Sequence, residues 1–194
     1  MRGYEFALQA IRDRLPARDD TMSVFNVTLF VVFGWSIRGF LFEIPSFLLY
    51  LGFGDILAIV FYMMAFAFLE SIILTGGLVI VSMIIPSGMF KDGFSYKGFL
   101  IILVATLGFI LFQGYYKVGF FQNFINNDYS PLWPLFLGSI ISMMVLGCLI
   151  WLFQKKPRLQ KYLLYLIEQF GIFAYIYIPL GLIGLLVVFV RNIF

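Results

Sequence analysis

The chain has 194 residues, of which 62% are hydrophobic and 12% charged, with a mean hydropathy of +1.01 and a formal net charge of +3. Soluble domains run at about 45–50% apolar and about 25% charged, so a soluble enzyme or soluble binding module is excluded, and the solvent for most of this surface is a bilayer. With no histidine and a single cysteine, Cys148, the chain also lacks the residues for His-based acid/base or nucleophilic catalysis, haem ligation, most zinc sites and any internal disulfide.

The chain opens on a predicted amphipathic helix over residues 3–15. Tyr4, Leu8, Ile11 and Leu15 recur at helical spacing among Arg2, Glu5, Arg12, Asp13 and Arg14, and Pro16 ends the pattern. Such a segment beside a span suits the membrane interface, with docking to a cytoplasmic partner as the competing reading. Mixed charges before Met22 and the lack of an A-x-A-like site argue against a cleavable signal peptide, so the first span is expected to remain as an anchor.

Five spans are predicted, at about 22–52, 55–86, 98–117, 132–154 and 162–190, in an all-α, polytopic membrane fold. The interfacial segment occupies residues 1–20, and residues 21–194 form one five-helix domain. The first two apolar blocks are each about 30 residues, or roughly 45 Å of helix against a hydrocarbon core of roughly 30 Å, so they must tilt, kink or protrude. Pro45 is the expected kink in the first. Gly52-Phe53-Gly54-Asp55 reads as the turn between them, with Asp55 expected to N-cap the second helix. The sequon Asn26-Val27-Thr28 lies inside the first span, out of reach of a glycosyltransferase.

After the third span, Gln113–Lys117 reads as an interfacial aromatic cluster and residues 118–131 as a polar connection. Pro131 and Pro134 introduce the fourth span, and Lys155–Lys161 forms a basic loop before the fifth. With five spans and the N-terminus inside, ten Lys and Arg fall on the cytoplasmic side and only Lys117 and Arg191 outside, with Arg38 in a span. Splitting the first block into two spans would leave six inside and seven outside. The asymmetry favours five spans, N-terminus in and C-terminus out, as the positive-inside rule requires. The expected location is the plasma membrane of a bacterium.

Arg38 and Glu70 are the ionisable residues deepest in the spans. Counting from Phe53 at the turn, they lie 15 and 17 residues away on the two arms of a hairpin, which predicts a buried ion pair at matched depth. A lone charge there would cost roughly 2.5–3.5 kcal/mol. Such a pair serves either as a substrate or proton site or as a device fixing helix register. Glu43 and Asp55 are candidate contributors on the outer side. Glu168 reads as an interfacial charge.

Lys155, Lys156, Arg158 and Lys161 are candidates for contact with anionic lipid headgroups at the cytoplasmic face or with a partner. Gly138 with Ser142, and Ser71, Thr75, Gly76 and Gly77, are small-residue patches where helices can approach closely. No carboxylates share a helical face at a spacing suited to a metal, and no basic stripe suits nucleic acid, so no cofactor, metal or nucleic-acid partner is expected.

Three functions fit this pattern. The first is a non-catalytic membrane subunit or scaffold, with other subunits or further copies of itself as partners. The second is a small transporter or channel component using Arg38 and Glu70. The third, a membrane-embedded lipid enzyme, is disfavoured by the residue inventory, so no enzymatic activity is expected.

Overall fold

The computed structural model describes residues 15–85, 90, 93–125 and 132–193, all of them helical apart from short turns. The five helices are α1 (Arg18–Tyr50), α2 (Phe53–Ile84), α3 (Phe94–Ile125), α4 (Leu132–Lys155) and α5 (Pro157–Ile193). Each is long and apolar enough to cross a membrane, as the apolar blocks predict. The interfacial helix expected over 3–15 lies, except for Leu15, outside the described residues. So do Pro86, which the sequence places at the end of the second span, Lys91 among the expected cytoplasmic cations, and the side chains of Phe120, Phe121, Tyr129 and Trp133, which read as an aromatic belt at the outer interface.

Three boundaries differ from the sequence expectation. The basic loop expected over Lys155–Lys161 shrinks to Lys156, because α4 runs to Lys155 and α5 starts at Pro157, a residue suited to the first helical position. Helix α3 runs on to Ile125, through the aromatic cluster and half of the expected connection. No proline interrupts 94–125, and the first dense group of helix-disfavouring residues is Asn126-Asn127-Asp128. Helix α2 starts at Phe53 with the extended Gly52 as its N-cap, so Asp55 occupies the first turn instead of the cap. Its carboxylate still sits where the helix dipole favours a negative charge. Pro45 and Pro179 are accommodated inside α1 and α5.

The chain gathers into two compact units, one formed by Met1–Tyr96 with Leu164–Phe194 and the other by Lys97–Leu163. In the first unit α1, α2 and the larger part of α5 pack around Leu29, Val32, Phe33, Ala67, Phe68 and Ala174. Lipid tails are as apolar as leucine, so these helices are held by close packing and not by removal of apolar surface from water. Aromatic rings supply much of that packing. Phe33 stacks on Tyr177 at 4.7 Å between centroids. Phe30 lies 4.8 Å from Phe170 and 4.7 Å from Phe173, and Phe68 meets Phe25 edge-on.

Helices α5 and α2 approach closely at Gly181 and Gly184 of α5. A Cβ at Gly184 would stand 2.7 Å from the Phe61 carbonyl oxygen and 2.8 Å from the Ala65 nitrogen, both backbone atoms of α2. A Cβ at Gly181 would meet the Phe68 side chain at 2.6 Å. Spaced three apart, the two glycines share one face of α5 and leave room there for α2.

Buried hydroxyls turn back on their own helices: Thr28 donates to the Val24 carbonyl at 2.8 Å and Ser71 to that of Ala67 at 2.7 Å. The start of α3 is tied to the start of α1 by the Ser95 hydroxyl donating to the Asp20 carboxylate. Gly93 turns the chain there at φ +77°, and the Tyr96 ring occupies the space a Cβ would need. In the second unit, α3 and α4 approach where Gly108 faces the Ser142 hydroxyl. Lys97, one of the cations used to orient the chain, is 2% exposed.

Candidate functional site

The hairpin of α1 and α2 sets where Arg38 and Glu70 stand. Phe40, Ile44, Phe47 and Leu48 of α1 and Phe53, Ile56, Leu57 and Val60 of α2 line a common apolar cleft of about 260 Å³. Arg38 lies 12 residues from the end of α1 and Glu70 17 residues from the start of α2, so the two differ in depth by five residues, about 7.5 Å of helix.

The faces differ as well. Phe47 lines the cleft, and Arg38, nine residues earlier and about two and a half turns away, lies on the opposite side of α1. Glu70 is two residues from the packed Phe68, about 200° around α2. Both charged side chains are exposed. Among the described residues no salt bridge joins them, and the Arg38 guanidinium lies over the Trp35 ring on its own helix, 5.0 Å from the centroid. Counting from the turn fixes an approximate depth but says nothing of which way each helix turns its faces, and that is where the sequence expectation and the geometry part.

The other candidates are also spread apart. Glu43 is exposed on α1, about 140° around the helix from Arg38. Asp55 is exposed at the start of α2, and Glu168 is exposed on α5. Lys155, Lys156, Arg158 and Lys161 are all exposed, and the Lys155 ammonium rests 4.0 Å from the Trp151 ring centroid. Cys148 is exposed. Among the described residues no group of three or more Cys, Asp or Glu converges in a way that could hold a metal.

Small residues behave unequally. Gly34, Gly39, Gly76, Gly77, Gly138 and Gly147 have nothing within 4 Å of the position a Cβ would take. The patch at Ser71–Gly77 is thus divided: Ser71 and Thr75 face inward and are buried, while Gly76 and Gly77 face outward. The Thr75 hydroxyl and the Asn26 Oδ1 are buried without a hydrogen-bond partner. Asn26 lies 24 residues from the end of α1 and Thr75 22 residues from the start of α2, so the two atoms occupy nearly the same level of the bundle.

Sequence reasoning misses one group, at the end of α5. Asn192 donates from Nδ2 to the Tyr62 hydroxyl at 3.0 Å, and the Arg191 guanidinium stands 5.9 Å from the Tyr62 ring centroid. In the sequence Arg191 is only a topology marker, and Tyr62 lies within an apolar run 129 positions earlier with nothing to single it out. No protein-family model, curated protein or solved structure matches the chain.

Proposed function

We propose that the chain is a non-catalytic integral subunit or scaffold of a larger membrane assembly. The supporting observation is that Arg38 and Glu70 lie within spans yet turn away from the helices of their own bundle. Arg38 is twelve residues from the nearer end of α1, about 18 Å of helix. A charge deep in a span costs roughly 2.5–3.5 kcal/mol, and an exposed cation–π contact such as that with Trp35 offsets only about 0.5–1 kcal/mol. A polar or oppositely charged protein surface against α1 and α2 offsets the remainder. Bare glycines lie on the same faces, Gly34 one turn before Arg38 and Gly77 two turns after Glu70, where another helix can come close.

The transporter reading needs both charges turned into a cavity of the bundle, and the outward direction of the two side chains favours the subunit reading. The partners in view are other membrane subunits or further copies of the chain, in the plasma membrane of a bacterium with the N-terminus inside. The exposed Lys155, Lys156, Arg158 and Lys161 suit anionic headgroups on the cytoplasmic side, at about 1 kcal/mol for each charge near the surface.

Mild-detergent extraction from the native membrane, followed by native mass spectrometry, tests the proposal. The expected result is a reproducible complex whose recovery falls about tenfold in Arg38→Leu and in Glu70→Gln, while the isolated chain unfolds as before. A chain recovered bare, or one carrying only a small molecule, overturns it.

A further inference from the structure

A cleft of about 560 Å³ opens at the end of the first unit where the α1–α2 turn meets the end of α5. Its lining is Leu51, Asp55, Ala58, Ile59, Tyr62, Met63 and Arg191. That volume falls within the roughly 300–1,000 Å³ of ordinary small-molecule sites. The two charges stand at helix ends, Asp55 in the first turn of α2 and Arg191 in the last turn of α5. The apolar lining, Ala58, Ile59 and Met63, descends α2 for two turns from Asp55 toward the interior of the span. A charged rim above an apolar wall is the polarity profile of an amphiphile whose head lies at the interface and whose tail lies in the hydrocarbon.

We propose that this cleft binds a zwitterionic glycerophospholipid, with its phosphate at Arg191 and its headgroup amine at Asp55. Three features of the rim carry the assignment. Charges of both signs line one cleft, yet among the described residues no salt bridge joins Asp55 to Arg191, so both are available to a ligand carrying the complementary pair. The planar guanidinium matches a phosphodiester through two parallel N–H bonds, and it lies beside the Tyr62 ring, 5.9 Å from the centroid. The Tyr62 hydroxyl accepts from Asn192, which leaves its own proton free to donate to a phosphate oxygen.

A purely anionic headgroup would satisfy Arg191 but bring its negative charge beside Asp55 without an amine to offset it. A water-soluble zwitterion would satisfy both charges but leave the apolar wall without a partner. A lipid such as phosphatidylethanolamine satisfies the whole lining.

The test uses the full chain purified in detergent and exchanged into mixed micelles holding equal amounts of phosphatidylethanolamine and phosphatidylglycerol, with retained lipid counted by native mass spectrometry. The expected result is one phosphatidylethanolamine per chain, preferred about tenfold over phosphatidylglycerol. Arg191→Gln is expected to lower retention of both lipids at least tenfold, the scale set by losing even one of the two hydrogen bonds to a charged group. Asp55→Asn keeps the size of the side chain and removes only its charge, and it is expected to abolish the preference, with retention of phosphatidylethanolamine falling and that of phosphatidylglycerol rising toward it. If Arg191→Gln does not fold, Asp55→Asn decides the matter alone. Equal retention of the two lipids by the unmodified chain, or a preference that survives Asp55→Asn, overturns the proposal. So does displacement of the lipid by millimolar inorganic phosphate, which would make the cleft a site for the free anion.

Discussion

Two pairs of glycines in the same helical bundle have opposite surroundings. Gly181 and Gly184 on α5 are buried against α2, where a single added carbon would strike Phe68 or the backbone at Phe61 and Ala65. Gly76 and Gly77 on α2 face outward, with nothing within 4 Å of the position a Cβ would take. The residue type is the same and the helices are neighbours, so composition alone does not tell a glycine that permits an internal contact from one that is available for an external contact. The distinction follows from which face of each helix the bundle uses.

The largest effect expected from this contrast is at Gly184. The atoms in the way are backbone, which no rotamer change can move, so Gly184→Ala must push α5 from α2. A loss of about 1–3 kcal/mol is expected, the usual range for overpacking, read by titrating the folded chain in mixed micelles with dodecyl sulfate. Gly77→Ala in the same assay is expected to leave stability unchanged, because nothing lies within 4 Å of the added carbon and the helix itself persists when it separates from its neighbours. Equal losses at the two positions would break the comparison.

The same contrast shows what can be read from the residues alone. The apolar runs determine five helices because each must satisfy its own backbone hydrogen bonds within the hydrocarbon, and no alternative element of that length does so. The Gly-x-x-Gly at 181–184 carries a usable signal, since positions three apart share a face, but it escapes a reading tuned to small residues four apart. Arg38 and Glu70 are legible as intramembrane charges and not as to direction. Apolar residues surround both α1 and α2 on every side, so no amphipathic stripe marks the inward face, and the packed side becomes visible only through contacts such as Phe68 with Gly181. The cleft at Asp55, Tyr62 and Arg191 is further out of reach, because its residues come from distant parts of the sequence and meet only when α5 returns beside α2.

A second pair on α2 sharpens the lesson with hydroxyls in place of glycines. Ser71 and Thr75 are one turn apart and both buried, at 0% and 5% exposure, yet only Ser71 has a hydrogen-bond acceptor, the Ala67 carbonyl. Thr75→Val keeps the shape of the side chain and removes a polar group that has no partner. A gain of about 1 kcal/mol is expected, the lower end of the cost of a buried unsatisfied group, visible as a higher dodecyl sulfate midpoint. A loss at this position would mean that the hydroxyl is engaged in the membrane-embedded protein.

Ser71→Ala should act in the opposite direction and by less. Its hydroxyl donates within its own turn, a bond that the same helix retains when it separates from its neighbours in the membrane, so the bond contributes little to the packing of one helix on another. Hydrogen bonds in membrane bundles average only about 0.6 kcal/mol for this reason, and alanine leaves at most a small void where the oxygen was. A loss near that average is expected, measured against Thr75→Val in the same titration. A loss several times larger would show that the Ser71 oxygen also accepts a bond from outside its own helix, which would make the interior of the first unit, and not only its outward face, a place where a polar partner is held.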